Sequence, residues 1–267
     1  MEIQRKLDRL ISFLKNINSL AVAFSGGVDS TFLLYMSKKF VKENVIAITS
    51  VSEIHKEKDI RQAEAIAKEI KVHHIKIDTE ELSVPEFVKN DKNRCYWCKK
   101  NMYKKIIDLA KKHNINTVVH GANVDDMYDY RPGNKAAEEL GVIAPLAYAG
   151  LRKDEIREIA KRLGIDVWNK PSSPCLATRI PYRHEITKER LRMVERAEDI
   201  LEELGFTQVR VRHYEDLAKI EVSEESLNEI LKMRKKILSA FKEVGFLFVA
   251  LDIEGFSSGK LNKLLSL

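Results

Sequence analysis

No stretch of eighteen apolar residues occurs in this chain, so a membrane-crossing helix is not expected. Met1 to Lys6 is charged and polar and leads into no secretory apolar region, so a cytoplasmic location is expected. Cysteine is scarce, with three among 267 residues. An odd number in a reducing compartment argues against a disulfide scaffold and for a metal or a reactive thiol. Internal repeats and low-complexity segments are also missing. No basic patch is interleaved with aromatics in the way stacked bases require, so nucleic acid is not expected among the partners. What is present is a net charge of +6 with a pI near 9.0, which favours anionic partners such as nucleotides, phosphorylated small molecules or RNA without choosing among them.

The apolar run Leu20 to Phe24, then Val45 to Thr49, His73 to Ile77 and Thr117 to His120 read as strands. Helical spacing lies between them: Ile60, Ala63, Ala67 and Ile70, then Met102, Ile106, Leu109 and Ala110 within 98–113. A further helix over 153–163 carries Ile156, Ile159 and Ala160 on one side and is closed by Gly164. This alternation predicts an α/β fold, a parallel sheet with helices on both faces, whose ligands lie beyond the strand C-termini. The periodicity breaks in the proline- and serine-rich stretch around 169–181, which divides a first domain, 1–170, from a small C-terminal α+β domain, 171–267. The second domain shows a helix over 188–204 and strands near 208–213, 217–222 and 246–251.

Between the first strand and its helix stands Ser25-Gly26-Gly27-Val28-Asp29-Ser30-Thr31. A glycine turn feeding a helix start gathers backbone N–H groups on one point, the arrangement that holds phosphate. The Walker lysine is missing, which excludes the loop used for γ-phosphate transfer. Ser25, Ser30 and Thr31 can add hydroxyl donors, and Asp29 is a candidate Mg²⁺ contact. Gly121-Ala122-Asn123-Val124-Asp125-Asp126 ends the fourth strand. It places Asp126 or Asp125 at the same rim, to contact metal or nucleotide or else to cap a turn. Arg131 could clamp an anion through its planar fork.

Cys95-Tyr96-Trp97-Cys98 opens a helix, where the macrodipole favours thiolate, and Cys175 stands apart in Pro174-Cys175-Leu176-Ala177-Thr178-Arg179. Three thiolates could hold a 4Fe-4S cluster with one iron open, or zinc with a further ligand, or no metal at all, with Cys175 as a lone nucleophile. Trp97 could stack on a heterocycle or cover the cysteines. In Val209-Arg210-Val211-Arg212 the strand period puts both arginines on one face, about 7 Å apart. There they would clamp a phosphate or pair with Glu221 on the next strand. His55, His113, His184 and His213 show no ligand spacing.

The Ser-Gly-Gly-Val-Asp-Ser loop resembles that of the PP-loop ATP pyrophosphatases, which are adenine nucleotide alpha hydrolase-like in fold. Taken with Asp129-Tyr130-Arg131-Pro132-Gly133, 136–142, 170–182 and 209–214, the chain resembles the LarE family over most of its length. That resemblance implies an ATP-dependent sulfur transferase of nickel-pincer nucleotide cofactor biosynthesis. Its substrate would be pyridinium-3,5-biscarboxylic acid mononucleotide: ATP adenylates a carboxylate, pyrophosphate leaves, and sulfur displaces AMP. Residue by residue, Ser25, Gly26, Gly27, Asp29, Ser30 and Thr31 would hold pyrophosphate and Mg²⁺, with Asp126 beside them. Cys175 would stand at the sulfur-transfer position, Arg210 and Arg212 would meet substrate phosphate, and Arg131 and Arg179 are further candidates. Some members surrender the sulfur of that cysteine. The two extra cysteines, Cys95 and Cys98, imply the kind in which a 4Fe-4S cluster relays sulfide from a donor over many turnovers. A homo-oligomer, hexameric and built through the C-terminal domain, is also implied. The rival reading is a tRNA-thiolating PP-loop enzyme.

Overall fold

Four runs rich in Val, Ile and Ala build the first sheet: β1 (Ser19–Ala23), β2 (Asn44–Val51), β3 (His73–Asp78) and β4 (Thr117–His120). Their order is β3-β2-β1-β4 and every pairing is parallel, with Val22 opposite Ala47 on one side and Val119 on the other. The structure is a computed structural model describing residues 2–128, 132–257 and 259–265. Successive strand residues point to opposite faces, so β1 feeds two cores. Leu20 and Val22 pack with α1 (Glu2–Lys15), α2 (Val28–Phe40) and α3 (Glu57–Glu69), together with Ile156 and Ala160 of α9 (Lys153–Arg162). Ala21 packs on the other face, with Met102, Ile106 and Ala110 of α5 (Arg94–Lys112) and Ala137 of α7 (Pro132–Glu139). Two short helices, α6 (Val124–Tyr128) and α8 (Pro145–Tyr148), follow β4 and α7. Gly164 closes α9 at φ +72, as its position past the last apolar residue requires.

The expected α/β fold is therefore present, and a second small sheet accompanies it. Here α10 (Lys188–Glu203), capped by Thr187, lays Ala197 and Leu201 against β5 (Val209–Tyr214) and β6 (Leu217–Val222). Next come α11 (Leu227–Lys232), α12 (Arg234–Val244), which ends at Gly245 with φ +117, and β7 (Phe248–Leu251). β5 pairs with β6 antiparallel, and β6 pairs with β7 parallel.

The chain divides into two compact units, 1–81 with 95–173 and 82–94 with 174–267. The segment 82–94, which carries α4 (Pro85–Val88), thus leaves the first unit although it interrupts that unit in sequence. Asn90 shows why. It is fully buried, holds φ +55, and its side-chain amide donates to the carbonyls of Pro181 and His184, each at 2.8 Å. Ile186 N donates to Val88 O at 3.0 Å, and the Arg94 guanidinium lies 4.4 Å over the Tyr182 ring. These bonds join residues some ninety positions apart, a pairing that periodicity does not encode.

Candidate active site

In the first unit, β1 ends in the glycine turn and α2 begins at once. Gly26 holds φ +68, and a Cβ there would come within 3.1 Å of the Cα and Cβ of Ala63 on α3, so the turn is pressed against that helix. Gly27 caps α2 with extended backbone and no side chain caps the helix start. The first N–H groups of α2 therefore face outward as anion donors. The turn is braced from within: Ser25 Oγ and Ser30 Oγ lie 3.2 Å apart, Ser30 Oγ donates to Gly27 O at 3.1 Å, and Thr31 N donates to the same carbonyl at 2.9 Å. Ser25 is exposed, whereas Thr31 is 1% exposed and its hydroxyl has no partner among the described residues. Thr31 lines a cavity of about 300 Å³ with Tyr35, Lys38, Ile66, Ile70 and Val167.

Two lysines that the sequence reading passed over reach this turn. Lys153, the first residue of α9, pairs through Nζ with Asp29 Oδ2. Lys170 lies 3.5 Å from Gly26 O and is held there by Gln62 Oε1 at 2.6 Å and Asp59 Oδ1 at 3.1 Å. Asn123 adds an amide 3.4 Å from Asp29 Oδ1. The Asp29 carboxylate is thus partly committed to a lysine, and a Mg²⁺ ion here would share it. Asp126 and Asp125 serve the turn itself. Asn123 Oδ1 accepts from the N–H groups of Asp125 and Asp126, Asp126 Oδ2 accepts from Asn123 N at 3.0 Å, and the pair forms a reciprocal cap on α6. Asp125 accepts from Arg152 Nη1 at 3.1 Å and Lys153 N at 2.8 Å, which ties the start of α9 to the rim. Of the two readings of these carboxylates, capping is the one the hydrogen bonds supply.

Cys95 and Cys98 lie in the first turn of α5, both half-buried and in no disulfide. The Cys98 thiol is 4.0 Å from Glu81 Oε1, which also accepts from Thr79 Oγ1 at 2.6 Å. Glu81 is fully buried and its Oε2 has no hydrogen-bond partner among the described residues. Trp97 stands edge-on to Tyr96 at 5.0 Å and 78°, with Lys100 Nζ 5.8 Å from its ring. Arg131 lies outside the described residues.

The second unit holds Cys175 at the head of a single 3-10 turn, Leu176–Arg179. Arg179, expected to meet a ligand, is instead 0% exposed and bound bidentately to Glu198 of α10, at 2.8 and 2.9 Å. Arg212 is 5% exposed, and its two terminal nitrogens donate to Glu221 Oε2 at 2.7 Å and Thr178 O at 2.8 Å. The pairing with Glu221 is thus what Arg212 makes. Each buried ion costs several kcal/mol in lost hydration, so removing one partner of either pair would cost about 3–5 kcal/mol. Arg210 differs. It is half-buried, donates to Val209 O at 2.7 Å and lies 5.1 Å from the Phe256 ring. Burial, with the Arg179 and Arg212 charges beside it, lowers its pKa to about 10.

Among the described residues, no group of three or more His, Cys, Asp or Glu side chains is gathered to hold a metal ion. Three thiols in no disulfide are the right donor chemistry for a cluster, and that chemistry alone supports one.

His120, at the end of β4 and edge-on to Tyr103 at 5.7 Å, is pushed down to about 4 by burial and then by the Lys99 charge. The folded protein keeps it neutral while the unfolded chain takes up a proton near pH 6.5, so stability is full above about pH 6.5 and falls toward pH 4. Burial lowers His55, His74 and His213 in the same direction. The His120 share of the loss is expected to reach about 2–3 kcal/mol at pH 4. Urea titrations of the parent and His120→Gln between pH 7 and pH 4.5 check this: the variant's stability should depend less steeply on pH.

A parallel sheet ending in an uncapped Ser-Gly-Gly helix start, with cations drawn to the turn, defines a PP-loop nucleotide-using protein. The NAD synthase family matches residues 3–243. An uncharacterized protein of Synechocystis sp. is 40% identical over 99% of both chains. The pyridinium-3,5-bisthiocarboxylic acid mononucleotide synthase of Lactiplantibacillus plantarum is 33% identical over 96% of this chain and 94% of its own. An uncharacterized protein of Methanocaldococcus jannaschii is 33% identical over 94% and 98%. The chain belongs to the LarE family of PP-loop proteins.

Proposed function

We propose that this protein uses ATP to activate a carboxylate of pyridinium-3,5-biscarboxylic acid mononucleotide and replaces the activated oxygen with sulfur. The observation that carries the reading is the uncapped start of α2 behind Gly26 and Gly27, in a chain that matches a bisthiocarboxylic acid mononucleotide synthase almost end to end. The substrate carboxylate attacks the α-phosphorus of ATP, and the bond to pyrophosphate breaks. The turn, Lys153 and Lys170 take up the charge that leaves, with Asp29 as the Mg²⁺ contact. A sulfur nucleophile then attacks the acyl carbon and the bond to AMP breaks. A carboxylate is a poor electrophile until its oxygen can leave, so the two halves need each other. Arg210 would hold the substrate phosphate, and Trp97 would stack on its ring.

Cys95, Cys98 and Cys175 are the residues that would hold a 4Fe-4S cluster, whose open iron would supply a binding place for sulfide from an external donor. The alternative is that Cys175 gives up its own sulfur once. We further propose a homo-oligomer formed through the second unit. β7 is an edge strand, and Leu247, Phe248 and Ile253 beside it are 62%, 65% and 89% exposed.

The test is pyrophosphate release by anaerobically purified protein with the pyridinium mononucleotide or with tRNA. Stimulation by the mononucleotide is expected, and stimulation by tRNA alone would transfer the reading to RNA thiolation. Iron content and intact mass after one turnover separate the sulfur sources. Bound iron with unchanged mass supports the cluster, and iron-free protein lighter by one hydrogen sulfide, as dehydroalanine at 175 requires, supports the sacrificial reading.

A further inference from the structure

We propose that Arg179 is a positioning residue for Cys175: anchored on Glu198, its guanidinium fixes the backbone that aims the thiol. The inference rests on Cys175 being the sulfur-handling position. Arg179 directs its donors to two places. Nε and Nη2 go to the Glu198 carboxylate, at 2.8 and 2.9 Å. Nη1 goes to Pro174 O at 2.7 Å, Cys175 O at 3.1 Å and Thr178 Oγ1 at 3.0 Å. The Cys175 carbonyl thereby accepts from three donors, since Thr178 Oγ1 and Thr178 N also reach it, at 2.8 and 3.0 Å. Glu198 is fixed in turn by Val211 N at 3.1 Å, so the cysteine turn is referenced to both α10 and β5.

Stability alone does not call for this arrangement, because buried ion pairs contribute no more than well-packed apolar residues of similar volume. A planar fork supplies direction, which neither leucine nor lysine can: one face is locked on a carboxylate while the remaining nitrogen gathers two carbonyls of the loop. With the carbonyl on its C-terminal side held by three donors, Cys175 keeps only its side-chain rotamer to choose, and the half-buried thiol is presented in a narrow range of directions.

The full-length protein with Cys95 and Cys98 changed to serine leaves Cys175 as the chain's single thiol. Its alkylation by iodoacetamide is timed in that background for the parent, Arg179→Lys and Thr178→Val, with circular dichroism and thermal midpoint reporting the fold. Folded Arg179→Lys is expected to change the alkylation rate about fivefold or more, toward the value of the urea-unfolded chain. Thr178→Val, which removes one donor from the Cys175 carbonyl and one acceptor from Arg179, should move it in the same direction by less. In the three-cysteine protein, Arg179→Lys should lower kcat for sulfur transfer about tenfold and leave KM for the mononucleotide near its parent value. A folded Arg179→Lys whose alkylation rate stays within twofold of the parent overturns the proposal. If that variant does not fold, an unchanged rate in Thr178→Val overturns it. Alkylation needs neither ATP nor acceptor, so this result stands apart from any failure of the substrate assignment.

Discussion

Cys175→Ser is expected to abolish sulfur transfer, by about 10³-fold or more, while substrate-stimulated pyrophosphate release stays within about threefold of the parent. The exchange removes a soft, ionisable sulfur and substitutes a hydroxyl that neither ionises near neutral pH nor ligates iron well. Little else changes. The carbonyl of residue 175 is held by Thr178 and Arg179, and serine keeps those bonds. In the proposed reaction the activation half belongs to the turn of the first unit and does not need the thiol. Mass analysis of the product for thiocarboxylate, with pyrophosphate assayed in parallel, checks the prediction. Sulfur transfer within twofold of the parent in this variant would remove Cys175 from the sulfur-handling role under either reading of the sulfur source.

Gly121→Ala should have the opposite signature and cripple activation itself. A Cβ on residue 121 would stand 2.8 Å from Ser30 N, 3.0 Å from Ser30 Cα and 3.1 Å from Asp29 C. All three are backbone atoms in the first turn of α2 and cannot swing aside as a side chain could. The helix start must move or β4 must retreat. Displacing by about 1 Å the N–H groups proposed to receive phosphate is expected to lower ATP-dependent pyrophosphate release about 10²-fold. Overpacking should destabilise the fold by about 1–3 kcal/mol. Gly27→Ala is the informative contrast. Residue 27 has extended backbone and its Cβ would meet only Ser25 Oγ, at 3.5 Å, so without nucleotide the fold should tolerate it. Denaturation midpoints of the two variants, each compared with its activity, separate damage to the fold from damage to the site.

Much of the first sheet was legible because the information is local. Alternation along Leu20 to Ala23 and 3.6-residue spacing along α9 are imposed by backbone geometry, and they located strands and helices to within a few residues. The Ser-Gly-Gly turn was legible for the same reason, since a strand, two glycines and a helix start are consecutive. Lys153 and Lys170 were not. They reach Asp29 and Gly26 across 124 and 144 positions, and nothing local distinguishes two cations among 46 lysines and arginines. The arginines show the boundary most clearly. Strand period placed Arg210 and Arg212 on one face, but it cannot say that Glu221 takes up Arg212, or that Glu198 on α10 claims Arg179.

The sequence by itself determined the class of fold and pointed to the glycine turn and the thiols as candidates for holding phosphate and carrying sulfur, because each follows from short-range geometry or from the chemistry of a side chain. Only the tertiary structure decided which partners the charged side chains take. It buried Arg179 and Arg212 against carboxylates, left Arg210 half-buried, turned Asp126 into a cap and moved 82–94 into the second unit through Asn90. Those outcomes depend on partners distant in the chain, and a charge becomes structural or functional only when its partner is known.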